Sequence, residues 1–165
     1  MICLVFDTSA IIAFMTEMDD GEFLFALTLS GFSIWVTEGV VVEVKKEPGL
    51  SRLRNAIKEN WISVKTTSKS EYEYYKIHYP MLDYGEIEVL QEGMDLRNSN
   101  VEYFCILDEG PGRKIADQLG INKMGTEGLL IRMNHLGIID QLTKEKLFSK
   151  LRQSSFRRCT VHEER

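Results

Sequence analysis

Five short strand-like stretches, each followed by helical periodicity, leave this chain few folds to choose from. It opens on "MICLVF", an apolar run without the polar alternation of a strand that has one wet face. Such a run suits a strand covered on both sides, as in a parallel sheet. "FSIWV" (32–36), "WISVKTT" (61–67), "EYFCIL" (102–107) and "INKMG" (121–125) are the other four. Helical patterning falls between them. It runs from Ser9 to about Thr16, from Gly21 to Ser30, and through "EGVVVEVKK" (38–46), "LSRLRNAIKEN" (50–60) and residues 70–80. It continues in "LDYGEIEVLQEGMDLR" (82–97), "PGRKIADQLG" (111–120), "TEGLLIRMNHLG" (126–137) and "TKEKLFSKLR" (143–152). Thr37 can cap the helix after it, and Pro111 and Gly120 bracket another in the usual order. Strands alternating with helices predict a layered α/β fold on a mainly parallel sheet.

The length, 165 residues, suits one domain. We expect that domain over residues 1–151, followed by a basic extension over 152–165 that has no clear period and is expected to be flexible. No repeat, low-complexity segment or long linker interrupts the pattern. No apolar stretch approaches the roughly 18 residues of a membrane span, and the N-terminus lacks a basic n-region. No membrane association and a cytoplasmic location are therefore expected. Cys3, Cys105 and Cys159 are odd in number and far apart, without a CxxC pair, which argues against a disulfide framework or zinc ribbon. Cys3 and Cys105 read as small core residues. His78, His135 and His162 are equally scattered. The net charge of −5 argues against a broad basic surface for a polyanion. It leaves open a cleft of acids offset by bound cations.

Where the acids stand carries more information than their number. Asp7 ends the first strand and is followed by Thr8 and Ser9. Asp108 ends the fourth. Each either caps the next helix or faces a crevice beyond the carboxyl ends of the strands, where ligands of open parallel sheets bind. Glu43 shares helical spacing with Val36 and Val40, so it either turns toward the protein or pairs with Lys46 in solvent. Glu38, nearer the helix start, reads as a dipole partner. Asp83 and Glu86 open a helix on one face. Gly85 between them allows close approach by another backbone or a metal. Glu109 follows Asp108 as either a second acid of the site or a surface charge. Arg113, with Lys114 beside it, begins the next helix, where a phosphate could meet it. Thr126 either caps its helix or orients a carboxylate.

Four carboxylates in one crevice repel unless cations sit among them. Mg²⁺ and Mn²⁺ take oxygen ligands and keep several waters. One or two such ions can activate a water and clamp the oxygens of an in-line phosphodiester displacement. That chemistry needs no nucleophilic Ser or Cys.

Taken in order, these motifs resemble the PIN-domain family of metal-dependent ribonucleases. Within it the chain looks closest to the toxin-like branch of type II toxin–antitoxin modules and its archaeal relatives. The strand ending in Asp and Ser/Thr matches Asp7, Thr8 and Ser9. A V-x-x-E pattern matches Val40 and Glu43, and D-x-G-E matches Asp83, Gly85 and Glu86. The late acid pair with Arg and A-x-x-x-G matches Asp108, Glu109, Arg113, Ala116 and Gly120. G-T-x-G matches Gly125, Thr126 and Gly128. Glu109 departs from the family's usual Asp, and the match leaves the extension past Leu151 uncovered.

The resemblance implies a three-layer α/β/α sandwich with strand order 3-2-1-4-5, which makes the first and fourth strands neighbours. It implies an endoribonuclease whose metal ligands are Asp7, Glu43, Glu86 and Asp108. Thr8 or Ser9 would hold Asp7. It also implies an RNA substrate, an antitoxin that inserts a basic side chain among the acids, and a homodimer. A degenerate PIN-like domain that binds RNA or a protein partner is the alternative. Phosphotransfer domains of similar layering fit less well. A haloacid-dehalogenase-type phosphatase wants a second Asp where Ser9 stands, and a receiver domain wants an acid pair that "MICLVFD" lacks.

Overall fold

The computed structural model describes residues 1–18, 21–108 and 110–154. Glu109, Cys159, His162 and nearly all of the basic extension, with the flexibility expected of it, lie outside the described residues. The five strands are β1 (Ile2–Phe6), β2 (Phe32–Thr37), β3 (Ile62–Lys65), β4 (Tyr103–Ile106) and β5 (Lys123–Met124). They form one sheet in the order β3-β2-β1-β4-β5, and every neighbouring pair is parallel. The helices are α1 (Thr8–Ile12), α2 (Glu22–Leu29), α3 (Glu38–Glu43), α4 (Gly49–Lys58) and α5 (Lys69–His78), then α6 (Tyr84–Asn98), α7 (Pro111–Leu119), α8 (Thr126–His135) and α9 (Gln141–Gln153). The layered α/β fold and the strand order are as expected.

Strand β1 shows why the sheet must be covered on both faces. Successive side chains along a strand point to opposite faces, yet Cys3, Leu4, Val5 and Phe6 are all buried. Burying each of the larger ones is worth about 1.5–3 kcal/mol. Phe6 meets the edge of Phe14 with ring centroids 5.8 Å apart, which ties the sheet to the segment after α1. On the other elements Ile87, Val89 and Leu90 of α6 and Leu129, Leu130 and Met133 of α8 are also buried. Cys3 and Cys105 are free, buried thiols.

Several boundaries differ from the sequence pattern. The helix expected from Ser9 to Thr16 is α1 followed by a π-helical stretch, Ala13–Met18. The helix expected over 38–46 stops at Glu43, because Val44 is extended (φ −77°, ψ 97°). Thr37 caps it as expected, accepting from the Val40 N–H at 3.5 Å. Strand β5 is two residues long. Among the described residues no helix is long and apolar enough to cross a membrane.

The topology fixes where a site can form. Strand order reverses between β1 and β4: the chain adds β2 and β3 on one side of them and β5 on the other. Their register pairs Phe6 with Ile106, and the Asp7 N–H donates to the Ile106 carbonyl at 3.1 Å. Asp7 and Asp108 therefore emerge side by side at the carboxyl ends of adjacent strands.

Candidate metal-binding cleft

A cleft of about 470 Å³ opens at this switch point, and its lining includes Asp7, Thr8, Ser9, Glu43, Asp83 and Glu86. Ile12, Met81, Gly110 and Pro111 also line it, and among the described residues the lining contains no Lys, Arg or His. Four sequence-distant regions supply it: the end of β1 with α1, the end of α3, the start of α6 with the residues before it, and the start of α7.

Asp7 stands where it could cap α1, but its side chain makes no capping hydrogen bond. The Ser9 hydroxyl donates to its Oδ2 at 3.1 Å. Burial is the main cause that pushes the Asp7 carboxyl up from 3.8 to about 7, against the Ser9 hydrogen bond. The charges of Asp83, Glu86 and Asp108 push in the same direction. That coupling puts Asp108 within electrostatic reach of Asp7.

Of the two hydroxyls named for Asp7, Ser9 is the one that holds it, and Thr8 serves another acid. Its hydroxyl donates to Glu43 Oε2, while the Gly85 N–H donates to Glu43 Oε1 at 2.9 Å. Glu43 is thus clamped between α1 and α6 and turns inward. The alternative pairing with Lys46 needed both residues on one helical turn, and α3 ends before Lys46. Val36 lies in β2, so only Val40 shares the helix with Glu43. Gly85 is required by this clamp: a methyl group there would stand 2.5 Å from Glu43 Oε2 and 2.9 Å from Thr8 Oγ1.

Asp83 and Glu86 form a capping box. The Glu86 N–H donates to Asp83 Oδ1 at 2.8 Å, and the Asp83 N–H donates to Glu86 Oε2 at 3.1 Å. Capping and a place in the cleft are therefore compatible. Glu86 Oε1 also accepts from the Gly112 N–H at 3.3 Å, at the positive start of α7. A methyl group on Gly112 would come within 2.9 Å of that oxygen. Desolvation still raises the Glu86 carboxyl above its ordinary range.

Asp108 does not line the cleft and is only 2% exposed. Thr126 holds both of its oxygens: the backbone N–H donates to Oδ1 and the hydroxyl to Oδ2, each at 2.6 Å. Burial pushes Asp108 up to about 6, opposed by those bonds and by the Arg113 charge. The cap of α8 is Gly125, and Thr126 is its first helical residue. Of the two roles open to Thr126, orienting a carboxylate is the one observed. A Thr126→Val variant should keep the backbone bond and lose the hydroxyl bond. It is expected to cost about 1–3 kcal/mol in thermal unfolding.

Arg113 is half-buried and donates to the Leu107 carbonyl at 2.5 Å, so part of its guanidinium fixes the turn that presents Asp108. Glu38 accepts from the Thr66 hydroxyl at 3.0 Å, on another cleft. The sequence pattern gave no sign of the Gly112 amide or of Met81 and Ile12 at the cleft wall. A glycine after Pro111 was the one available hint.

The donor set suits a hard cation. Its groups are carboxylates and hydroxyls, Asp7 and Glu86 are raised by burial and by neighbouring acids, and among the described residues no basic side chain lines it. Among the described residues, however, no three His, Cys, Asp or Glu side chains form a group that could hold a metal ion between them. The carboxylates and hydroxyls present are nevertheless the oxygen ligand types that Mg²⁺ takes. A family model for the PIN domain matches residues 3–161 of the chain, which reaches into the basic extension. No curated protein matches it.

Proposed function

From the chain's membership of the PIN-domain family, whose members are usually nucleases that use divalent metal ions, we propose that it is a Mg²⁺- or Mn²⁺-dependent endoribonuclease. One observation carries this reading: Asp7, Glu43, Asp83 and Glu86 converge on a cleft that has no basic lining among the described residues, with Asp108 near enough to raise Asp7. Asp7, Glu43, Glu86 and Asp108 are the proposed ligands for one or two ions, each ion taking no more than two of these carboxylates and filling its other positions with water. Bound there, a divalent cation supplies Lewis-acid activation of water and charge neutralisation at the phosphodiester.

The chain's own groups set the geometry. Ser9 orients Asp7, Thr8 and Gly85 fix Glu43, the capping box fixes Glu86, and Thr126 fixes Asp108. A carboxylate such as Glu86, which desolvation raises above its ordinary range, is suited to take the proton of the attacking water. The guanidinium of Arg113 has five N–H donors; those left over from Leu107 are available to a phosphate oxygen. Glu109 is the proposed outer acid. A toxin role adds an antitoxin whose basic side chain enters the cleft, which its acidic lining would accommodate, and a homodimer.

A second reading is favoured by the hold of Thr126 on both Asp108 oxygens: a PIN-like domain that binds RNA or a protein without cleaving. Incubation of the wild-type chain with structured and single-stranded RNA separates the two. Cleavage in Mg²⁺ or Mn²⁺ that EDTA abolishes is the expected result. Intact RNA at millimolar Mn²⁺, with RNA binding retained, selects the second reading.

A further inference from the structure

A second cleft, of about 560 Å³, lies beside the acid cleft and is lined by Glu38, Thr66, Thr67, Lys69, Tyr72, Glu73, Tyr84 and Glu88. Its floor is rigid. Glu88 is 3% exposed, and it accepts from the Gly39 N–H at 2.5 Å and the Thr67 hydroxyl at 2.9 Å. Tyr72 and Tyr84 meet edge to face, with centroids 5.2 Å apart and planes at 89°. Such a pair offers a flat ring for a planar guest and an edge that stops it sliding. At the rim, Glu38 and Glu73 are acceptors and Lys69 is a donor.

The mixed rim selects the guest. A phosphate would face three carboxylates. A guanidinium would pair with Glu38 but face Lys69. Guanine is planar and neutral, and it presents two adjacent N–H donors beside a carbonyl acceptor. The donors match a rim carboxylate and the carbonyl matches Lys69, while the ring stacks on tyrosine. The position is also apt. Glu38 and Glu43 begin and end α3, about 7.5 Å apart along its axis, and Tyr84 directly precedes Gly85, which holds Glu43. Neighbouring nucleotides of an extended strand could occupy the two clefts together.

We propose that this cleft binds one unstacked guanine of an RNA strand whose backbone crosses the acid cleft. The strand itself rests on the ribonuclease reading; base binding can be measured without it. The test titrates the full wild-type chain with guanosine, inosine, uridine and N-acetylarginine amide, following the tyrosine ring signals by NMR. Guanosine is expected to shift Tyr72 and Tyr84. Inosine, which lacks the exocyclic amine, and uridine should bind at least about fivefold more weakly. Glu38→Gln should weaken guanosine binding by a similar factor, while Tyr72→Phe stays within about twofold because it keeps the ring.

Equal binding of guanosine, inosine and uridine overturns the proposal, as does the absence of ring shifts. Tighter binding of the arginine amide would assign the cleft to a basic peptide instead. A chain that binds guanosine as expected but cleaves no RNA loses the hydrolytic reading and keeps the base site. A chain that cleaves RNA and ignores guanosine loses the base site alone.

Discussion

Asp7→Asn is expected to abolish metal-dependent RNA cleavage and, at the same time, to make the metal-free protein more stable. Both effects have one cause. Asp7 is 7% exposed and its carboxyl is pushed up to about 7 by burial and neighbouring acids. A folded-state value above the ordinary 3.8 means that the native protein binds the proton more tightly than the unfolded chain. Stability is therefore fully present below about pH 4 and is lost as pH rises through about 7. The displacement corresponds to roughly 4 kcal/mol, an upper bound because the site can relax and admit water. Asn has the same shape without the charge. Wild type and variant should melt together near pH 4 and diverge above it, with the variant ahead by roughly 5–10 °C at pH 8. Adding Mn²⁺ should raise the wild-type midpoint and leave that of the variant unmoved, since ligand binding stabilises only the form that binds. Cleavage should fall by about 1,000-fold or more, as for loss of a group that acts on the reacting charge. Unchanged cleavage in Asp7→Asn would refute the hydrolytic assignment. Identical pH–stability curves would show that Asp7 is not an uncompensated acid.

Gly85→Ala should separate fold from activity. In an ordinary helix Ala is favoured over Gly by about 1 kcal/mol. At position 85 the added methyl would stand 2.5 Å from Glu43 Oε2 and 2.9 Å from Thr8 Oγ1. Glu43 Oε2 is the far end of a flexible side chain, so the carboxylate can swing aside with little damage to the core. The stability change should stay within about 1 kcal/mol, because the helix gain offsets the lost clamp. Cleavage should fall on the order of 100-fold, the usual cost of displacing a reacting group by about 1 Å. A purely structural glycine would give the opposite pattern, with a lower melting temperature and activity preserved per folded molecule. Adding Thr8→Val to Gly85→Ala should then cost little more, since the clamp is already open.

The architecture was legible because strands buried on both faces must be apolar at every position, and Cys3–Phe6 obeys that rule without exception. Boundaries were less so. Nothing in "EGVVVEVKK" marks the extended Val44 that ends α3, and so Glu43 could be assigned to the cleft or to Lys46 with equal reason. The positions of Asp7 and Asp108 were readable because each follows a strand, and parallel neighbours in register bring such ends together; that Asp108 is covered and does not line the cleft was not. Gly85 was readable as a place of close approach, but helical spacing does not say what approaches; the visitor is a carboxylate from α3. The two hydroxyls after Asp7 could not be assigned from their order alone. Ser9 turns back to Asp7 while Thr8 reaches Glu43, 35 positions away. The Gly112 amide at Glu86 depends on where α7 starts in space, which no local pattern encodes.

Anomalous diffraction from a crystal of the full chain soaked in Mn²⁺ tests the central claim most directly. Manganese density is expected within coordination distance of Asp7 and of at least one among Glu43, Glu86 and Asp108, with water filling the remaining positions. A soaked crystal with no manganese at these carboxylates, or with manganese bound only elsewhere, would contradict the account.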